Sequence, residues 1–202
     1  MEADKIVIGR LLRAQAGAFV AGTRVEELES HTAPLFGALC RVEDEERFQT
    51  YGLIGDITIA DDGMVRQLVS VHALPQEYAS DNRYNRNLPV EVHVLTVGFA
   101  QDRRVLHRLP PRPPLSLDAL YLCDRAELVR FTSKLGYLRH LLRVQDQPVE
   151  ELLTAHLALA RVAHEAAGDV DWYPRACQEI IVLLRDDYGR LANVLNALAE
   201  LE

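Results

Sequence analysis

Short apolar runs separated by polar turns make up the first half of the chain. The runs lie at 6–14, 17–22, 36–43, 49–60, 65–71 and 89–99. They are rich in β-branched residues, and clusters of Gly, Asp and charged residues separate them, which is typical of strands joined by turns. In the last run, apolar residues at 90, 92 and 94 alternate with polar residues at 91 and 93. This period of two predicts a strand with one buried face.

Six short strands at this spacing suit a small antiparallel β-barrel. Closing the sheet removes its exposed edges, which would otherwise pair with strands of other chains. A β-sandwich is the alternative arrangement for the same pattern.

The apolar period lengthens to about 3.6 residues after Asp124, which predicts helices. Asp124 and Glu127 match a capping box, and the helix that they open carries apolar residues at 128, 131, 135, 138 and 142. A second helix is predicted from Pro148 to just before Gly168. Its apolar face lies at 149, 152, 153, 157, 160 and 163.

A third helix is predicted to begin near Asp171 and to carry a seam with heptad spacing. After Cys177, the seam consists of Ile181, Leu184, Tyr188, Leu191, Leu195 and Leu198. Such a face can pack within a three-helix bundle or against a second subunit. We therefore expect a homo-oligomer formed through this seam.

A Pro-rich segment at 109–114, LPPRPP, separates the two halves of the chain. Pro fixes φ and drives the preceding residue into extended conformations, so we expect a stiff polyproline II spacer, which we call the collar. We interpret the collar as the rigid join between barrel and helices. The predicted fold class is α+β, with a small antiparallel barrel and its collar at 1–123 and about three helices at 124–202.

The balance of acidic and basic residues argues against one class of binding partner. The chain carries 30 acidic and 22 basic residues, a net charge of −8. This argues against a dedicated duplex-DNA-binding protein, because such proteins gain most of their affinity by neutralising phosphates with Lys and Arg. Local arginines remain candidates for contact with phosphate or with an acidic partner, the alternative being a solvated charged surface. They are Arg83, Arg86, Arg103, Arg104, Arg108 and Arg112.

The cysteines and the N-terminus indicate a cytoplasmic protein. Cys40, Cys123 and Cys177 are far apart and lie among apolar residues, which suits buried thiols in a reducing compartment. No window approaches the roughly 20 apolar residues of a membrane span, so we expect no membrane association.

The sequence carries no catalytic signature. It contains neither GxSxG, nor GxGxxG after a strand, nor GxxxxGK[ST], so we expect no ATP hydrolysis. His156 and His164 are two turns apart on the predicted second helix, and His156 is expected to be a hydrogen-bonded core residue rather than a metal ligand. We predict a non-enzymatic protein without catalytic residues, cofactor or metal. An enzyme built on the helical region is the least favoured alternative.

Three segments resemble the HAS barrel, the small barrel that opens HerA-type DNA-translocating ATPases and rotary ATP synthase subunits. They are IGRLLRAQAGAFVAGTRV, PLFGALCRVE and YGLIGDITIADDGMVRQL. The segment LHRLPPRPPLSLDALYLCDRAELVRF is similar to the stretch where the HerA barrel ends in a Pro-rich segment, adds one strand and enters a helix. The resemblance covers about residues 5–131.

In HerA-type proteins a RecA-like motor with a P-loop follows the barrel, whereas here only residues 124–202 follow. The resemblance therefore implies an assembly module that docks on, or regulates, a separately encoded HerA-type DNA-processing ATPase and reaches nucleic acid through that partner. The alternative is a stand-alone barrel that binds single-stranded nucleic acid directly.

Overall fold

A computed structural model of the chain describes residues 5–30, 32–44, 48–59, 70, 75–77, 90–102, 104–144 and 148–199. The strands are β1 (Val7–Ala14), β2 (Ala18–Thr23), β3 (Leu39–Glu43), β4 (Gln49–Ile59), β5 (Val90–Gln101), β6 (Arg104–Leu106) and β7 (Ala119–Leu122). The helices are α1 (Val25–Leu28), α2 (Arg125–Thr132), α3 (Leu138–Leu141), α4 (Val149–Ala166), α5 (Trp172–Leu184) and α6 (Tyr188–Ala199). No helix in these ranges is long and apolar enough to cross a membrane.

Six of the strands form a closed antiparallel barrel. Their order is β2-β1-β7-β3-β4-β5, and pairing of β2 with β5 closes the sheet, while β6 extends β5 as a short hairpin. The predicted α+β class with a barrel is confirmed, and the sandwich alternative is wrong. The predicted strand at 65–71 lies outside the described residues apart from Ser70, and the sixth place in the barrel belongs to β7.

Two apolar clusters cover the two faces of this sheet. The first cluster includes Ile8, Leu11, Phe19, Ile54, Val92 and Leu120. The second joins the opposite face of β4 and β5 to the helices and includes Tyr51, Leu53, Val97, Leu138, Leu153 and Trp172. Consequently β5 alternates between buried and half-buried residues up to position 96, as predicted, and is buried without interruption from 96 to 100.

The helix that follows β7 is shorter than its sequence period predicts. The capping box is confirmed, since Asp124 accepts from the Glu127 amide at 2.8 Å and Glu127 accepts from the Asp124 amide at 3.3 Å. The helix nevertheless ends at Thr132, and α3 is a separate turn. The last carbonyls of α2 accept from side chains instead of from a further helical turn: Trp172 Nε1 donates to Thr132 at 2.9 Å.

Helix α4 begins and ends where the sequence predicts. Pro148 precedes its first turn, and Gly168, with φ of +87°, follows its C-terminal end. His156 is a buried core residue, as expected. Its Nδ1–H donates to the Gly37 carbonyl at 3.0 Å and its Nε2 accepts from the Tyr137 hydroxyl at 3.0 Å. These bonds tie the barrel, through Gly37, to the helical region.

The prediction of a single third helix is wrong, because two helices, α5 and α6, occupy that stretch of the chain. The chain leaves the helix after Leu184, and the Asp187 side chain accepts from the Arg190 amide at 3.1 Å as α6 begins. This break divides the predicted seam. Leu184 and Leu198 are buried, Leu191 is half-buried, and the other three are exposed by 43%, 83% and 37%: Ile181, Tyr188 and Leu195. The helical region thus contains five helices in its described part rather than about three.

Candidate interaction surfaces

The collar is a connection within the barrel. After it, β7 pairs with both β1 and β3, so the chain returns to the sheet. The helical region begins only at Asp124, which caps α2. The interpretation of the collar as the join between barrel and helices is therefore wrong, because the apolar segment before Cys123 is a barrel strand.

Arg112 holds this connection against the hairpin of β3 and β4, and Arg108 packs on β5. Arg112 donates to Asp44 Oδ2 at 2.8 Å, and Asp44 Oδ1 accepts from the Phe48 amide at 2.9 Å. The Phe48 ring stacks on Phe99, with 5.0 Å between centroids, and the Arg108 guanidinium lies 5.4 Å from the Phe99 centroid. The hairpin and the segment 108–112 thus fix one another.

A cavity of about 440 Å³, which we call the collar groove, lies between the hairpin and the Pro-rich segment. Its lining includes Val42, Glu43, Phe48, Pro113, Pro114 and Asp118. The carboxylates here already have partners. Burial opposes ionisation of Glu43, but the hydrogen bond from Lys5 and the charge of Arg41 outweigh it and lower the pKa of Glu43. The groove therefore offers apolar walls beside charges that are already paired.

A tight turn at 115–118 presents leucines to solvent beside the collar groove. Leu117 has φ of +72°, a conformation that is costly for a bulky residue. Its amide donates to the Leu11 carbonyl at 2.8 Å, and the Ser116 hydroxyl donates to the Leu12 carbonyl at 3.3 Å, which places the turn against β1. Leu115 and Leu117, two residues apart in this turn, are each exposed by 71%. We call these two residues the leucine patch.

A second cavity, of about 300 Å³, lies where β6 meets the end of α2. We call it the basic cleft, because its lining contains Arg104, Arg130 and Lys134 together with His107. Phe131, only 1% exposed, forms part of its floor.

Of the six predicted arginines, the structure describes three. Arg83, Arg86 and Arg103 lie outside the described residues. The other three are separated: Arg104 lines the basic cleft, Arg108 covers the Phe99 ring, and Arg112 lines the collar groove.

His164 is buried and lies between the buried Thr132 and the half-exposed Asp169, in the order of a hydrolase triad. Its Nε2–H donates to Thr132 Oγ1 at 2.8 Å, and its Nδ1 lies 3.5 Å from Asp169 Oδ2. Thr132 is fully buried and donates its own proton to the Leu128 carbonyl at 2.7 Å. The hydroxyl is thus inaccessible to a substrate, and the chain of groups joins α2 to α4.

Sequence reasoning missed the leucine patch and most of the basic cleft. Arg130 and Lys134 are four residues apart near the end of α2, a spacing that places two cations on one side of a helix. That signal could have been combined with Arg104 only by knowing that β6 lies beside α2. Leu117 carries no signal in the sequence, because the feature that distinguishes it is its backbone φ of +72°.

Comparison of the sequence with protein-family models and with curated proteins gives no match.

Proposed function

We propose that the protein is a non-enzymatic assembly module that docks on or regulates a separately encoded HerA-type DNA-processing ATPase. The sequence resemblance over residues 5–131 supports the kind of partner. The leucine patch supports the kind of contact, because exposed apolar side chains grouped on a surface are typical of protein interfaces.

The observation that carries the proposal is the conformation of Leu117. A left-handed backbone is easily adopted by Gly and tolerated by Asn, whereas Leu pays roughly 1–2 kcal/mol for it. The residue gains little burial in return, since it is 71% exposed. A strained residue that presents an apolar side chain to solvent is explained if a partner covers that side chain.

The matched test replaces Leu115 and Leu117 by Asn. Asn tolerates the left-handed conformation, so the variant should be at least as stable as the wild type, with a gain of about 0.5–1 kcal/mol in the free energy of unfolding. Binding to the HerA-type ATPase of the same genome should weaken at least about tenfold in calorimetry. The control replaces Val162 and Val170, exposed by 60% and 66%, by Asn, and should leave binding unchanged.

Two results would count against this function. Unchanged affinity of the leucine variant would show that the leucine patch does not contact the ATPase. Absence of binding between the wild-type protein and the ATPase at micromolar concentrations would show that the ATPase is not the partner.

The basic cleft favours a second candidate function, direct binding of single-stranded nucleic acid. Its cations could contact backbone phosphates, but the phenyl ring of Phe131 in its lining is buried and cannot stack on a base. Fluorescence anisotropy with an oligonucleotide at rising salt tests it. Direct binding should weaken steeply with salt, whereas an apolar protein interface should not.

A further inference from the structure

The basic cleft exists because two elements approach closely over a glycine. A Cβ atom at Gly98 would lie 2.7 Å from the Leu106 carbonyl oxygen and 3.2 Å from the Phe131 ring. Only glycine at this position of β5 lets β6 and α2 pack so near to one another. The side chains at the rim of that junction, Arg104 from β6 and Lys134 just after α2, line one cavity.

The cleft is positive in a protein whose net charge is −8. In the described part of the chain no carboxylate lines it, and neither Arg104 nor Lys134 has a carboxylate partner there. Arg130 lies 3.6 Å from Glu127, but the same carboxylate oxygen accepts from Arg41 at 2.7 Å. The positive charge of the cleft is therefore only partly neutralised.

Two side chains of the cleft are held in place. Arg130 donates to the Tyr51 hydroxyl at 3.2 Å, and His107 Nε2–H donates to the Phe131 carbonyl at 3.0 Å. Burial lowers the pKa of His107; the hydrogen bond to the Phe131 carbonyl opposes this change, and the positive charges of Arg139 and Lys134 add to the lowering. The imidazole is therefore neutral, and the positive charges around it favour a bound anion.

We propose that the basic cleft binds the phosphate group of a small ligand, either inorganic phosphate or the phosphate chain of a nucleotide. Arginine matches phosphate oxygens with two parallel N–H groups, and lysine adds a mobile point charge. The volume of about 300 Å³ suits a compact anion, and the buried Phe131 offers a strand of bases no ring to stack on. The proposal does not depend on a partner ATPase.

The test is a titration of the full ¹⁵N-labelled chain with ATP and, separately, with inorganic phosphate. Each should give saturable chemical-shift changes for amides at 104–107 and 130–134. Replacing Arg104 and Lys134 by Gln should weaken binding at least about tenfold. The control replaces Arg125 and Arg143 by Gln, which makes the same change in net charge at exposed positions outside the cleft lining and should change the affinity less than about twofold.

The two ligands distinguish the sources of phosphate. Binding of both at these amides supports a general phosphate site, and binding of ATP alone supports a site for a nucleotide phosphate chain. Absence of saturable shifts with both ligands up to about 10 mM would overturn the proposal, since that concentration exceeds even millimolar dissociation constants. Equal binding by the Arg104 and Lys134 variant would overturn it too. So would binding of a single-stranded oligonucleotide at these amides without binding of either small ligand, which would favour the second candidate function.

Discussion

His156 couples the barrel to the helical region through hydrogen bonds that require a neutral ring. Its Nε2 accepts the Tyr137 hydroxyl proton, so adding a proton to Nε2 would break this bond inside the core. Burial lowers the pKa of His156 to about 4, although the hydrogen bond to the Gly37 carbonyl opposes this change. In the unfolded chain the pKa returns to about 6.5.

The sign and the size of the effect follow from these two values. A folded-state pKa below the unfolded value means that the unfolded chain binds the proton more readily. The contribution to stability is therefore complete above about pH 6.5 and is lost as the pH falls toward 4. Between about pH 7.5 and pH 4.5 the loss amounts to roughly 2.5 kcal/mol.

Urea denaturation of the wild type and of the His156→Gln variant, at both pH values, measures this loss. Gln keeps a hydrogen-bond donor and an acceptor but does not titrate. On acidification the variant should therefore lose only the stability that depends on other titratable groups, and not the part that depends on His156. The stability difference between the two proteins should shrink by about 2.5 kcal/mol on acidification. A constant difference would refute the reasoning. If the variant does not fold, the pKa of the His156 ring can be measured in the wild type by NMR titration instead. A measured pKa near 6.5 would likewise refute the reasoning.

Two further predictions concern packing. Gly37→Ala should lower the free energy of unfolding by about 2–4 kcal/mol, because φ is +84° and the added Cβ would lie 2.7 Å from the His156 amide nitrogen. Gly17→Ala, with open space around its Cβ position, is the control and should change the urea midpoint little; equal effects would contradict the packing argument. Replacing Ile181 and Leu195 by Asp should convert the expected oligomer to a folded monomer in light scattering, because both are exposed, whereas Leu184→Asp should unfold the chain. A wild type that is monomeric at all concentrations would contradict the oligomer.

Much of the barrel and helix α4 could be predicted because local pattern and tertiary environment agree there. The alternation at the start of β5 matches a strand buried on one face, and its continuous burial from 96 to 100 arises where helices cover the other face. Pro148 and Gly168 delimit α4 by their own backbone preferences. Such signals need no knowledge of distant residues.

The errors arose where distant residues decide a local structure. Helix α2 ends at Thr132 although the apolar period continues, because donors at 107 and 172 bond to its last carbonyls. The seam at 177–198 fits a heptad, but a break at 185–187 separates its halves. The basic cleft likewise depends on β6 lying beside α2, and local spacing carries no trace of that contact.

The most direct measurement of the central claim is affinity capture of the tagged protein from extract of its own cells at low and at high salt. Mass spectrometry would identify retained proteins, and the Leu115 and Leu117 double variant would be captured in parallel. The account predicts a HerA-type P-loop ATPase retained by the wild type at both salt concentrations and lost by the variant, since apolar contacts resist screening. Recovery of nucleic acid alone, released at high salt, would contradict the assembly function.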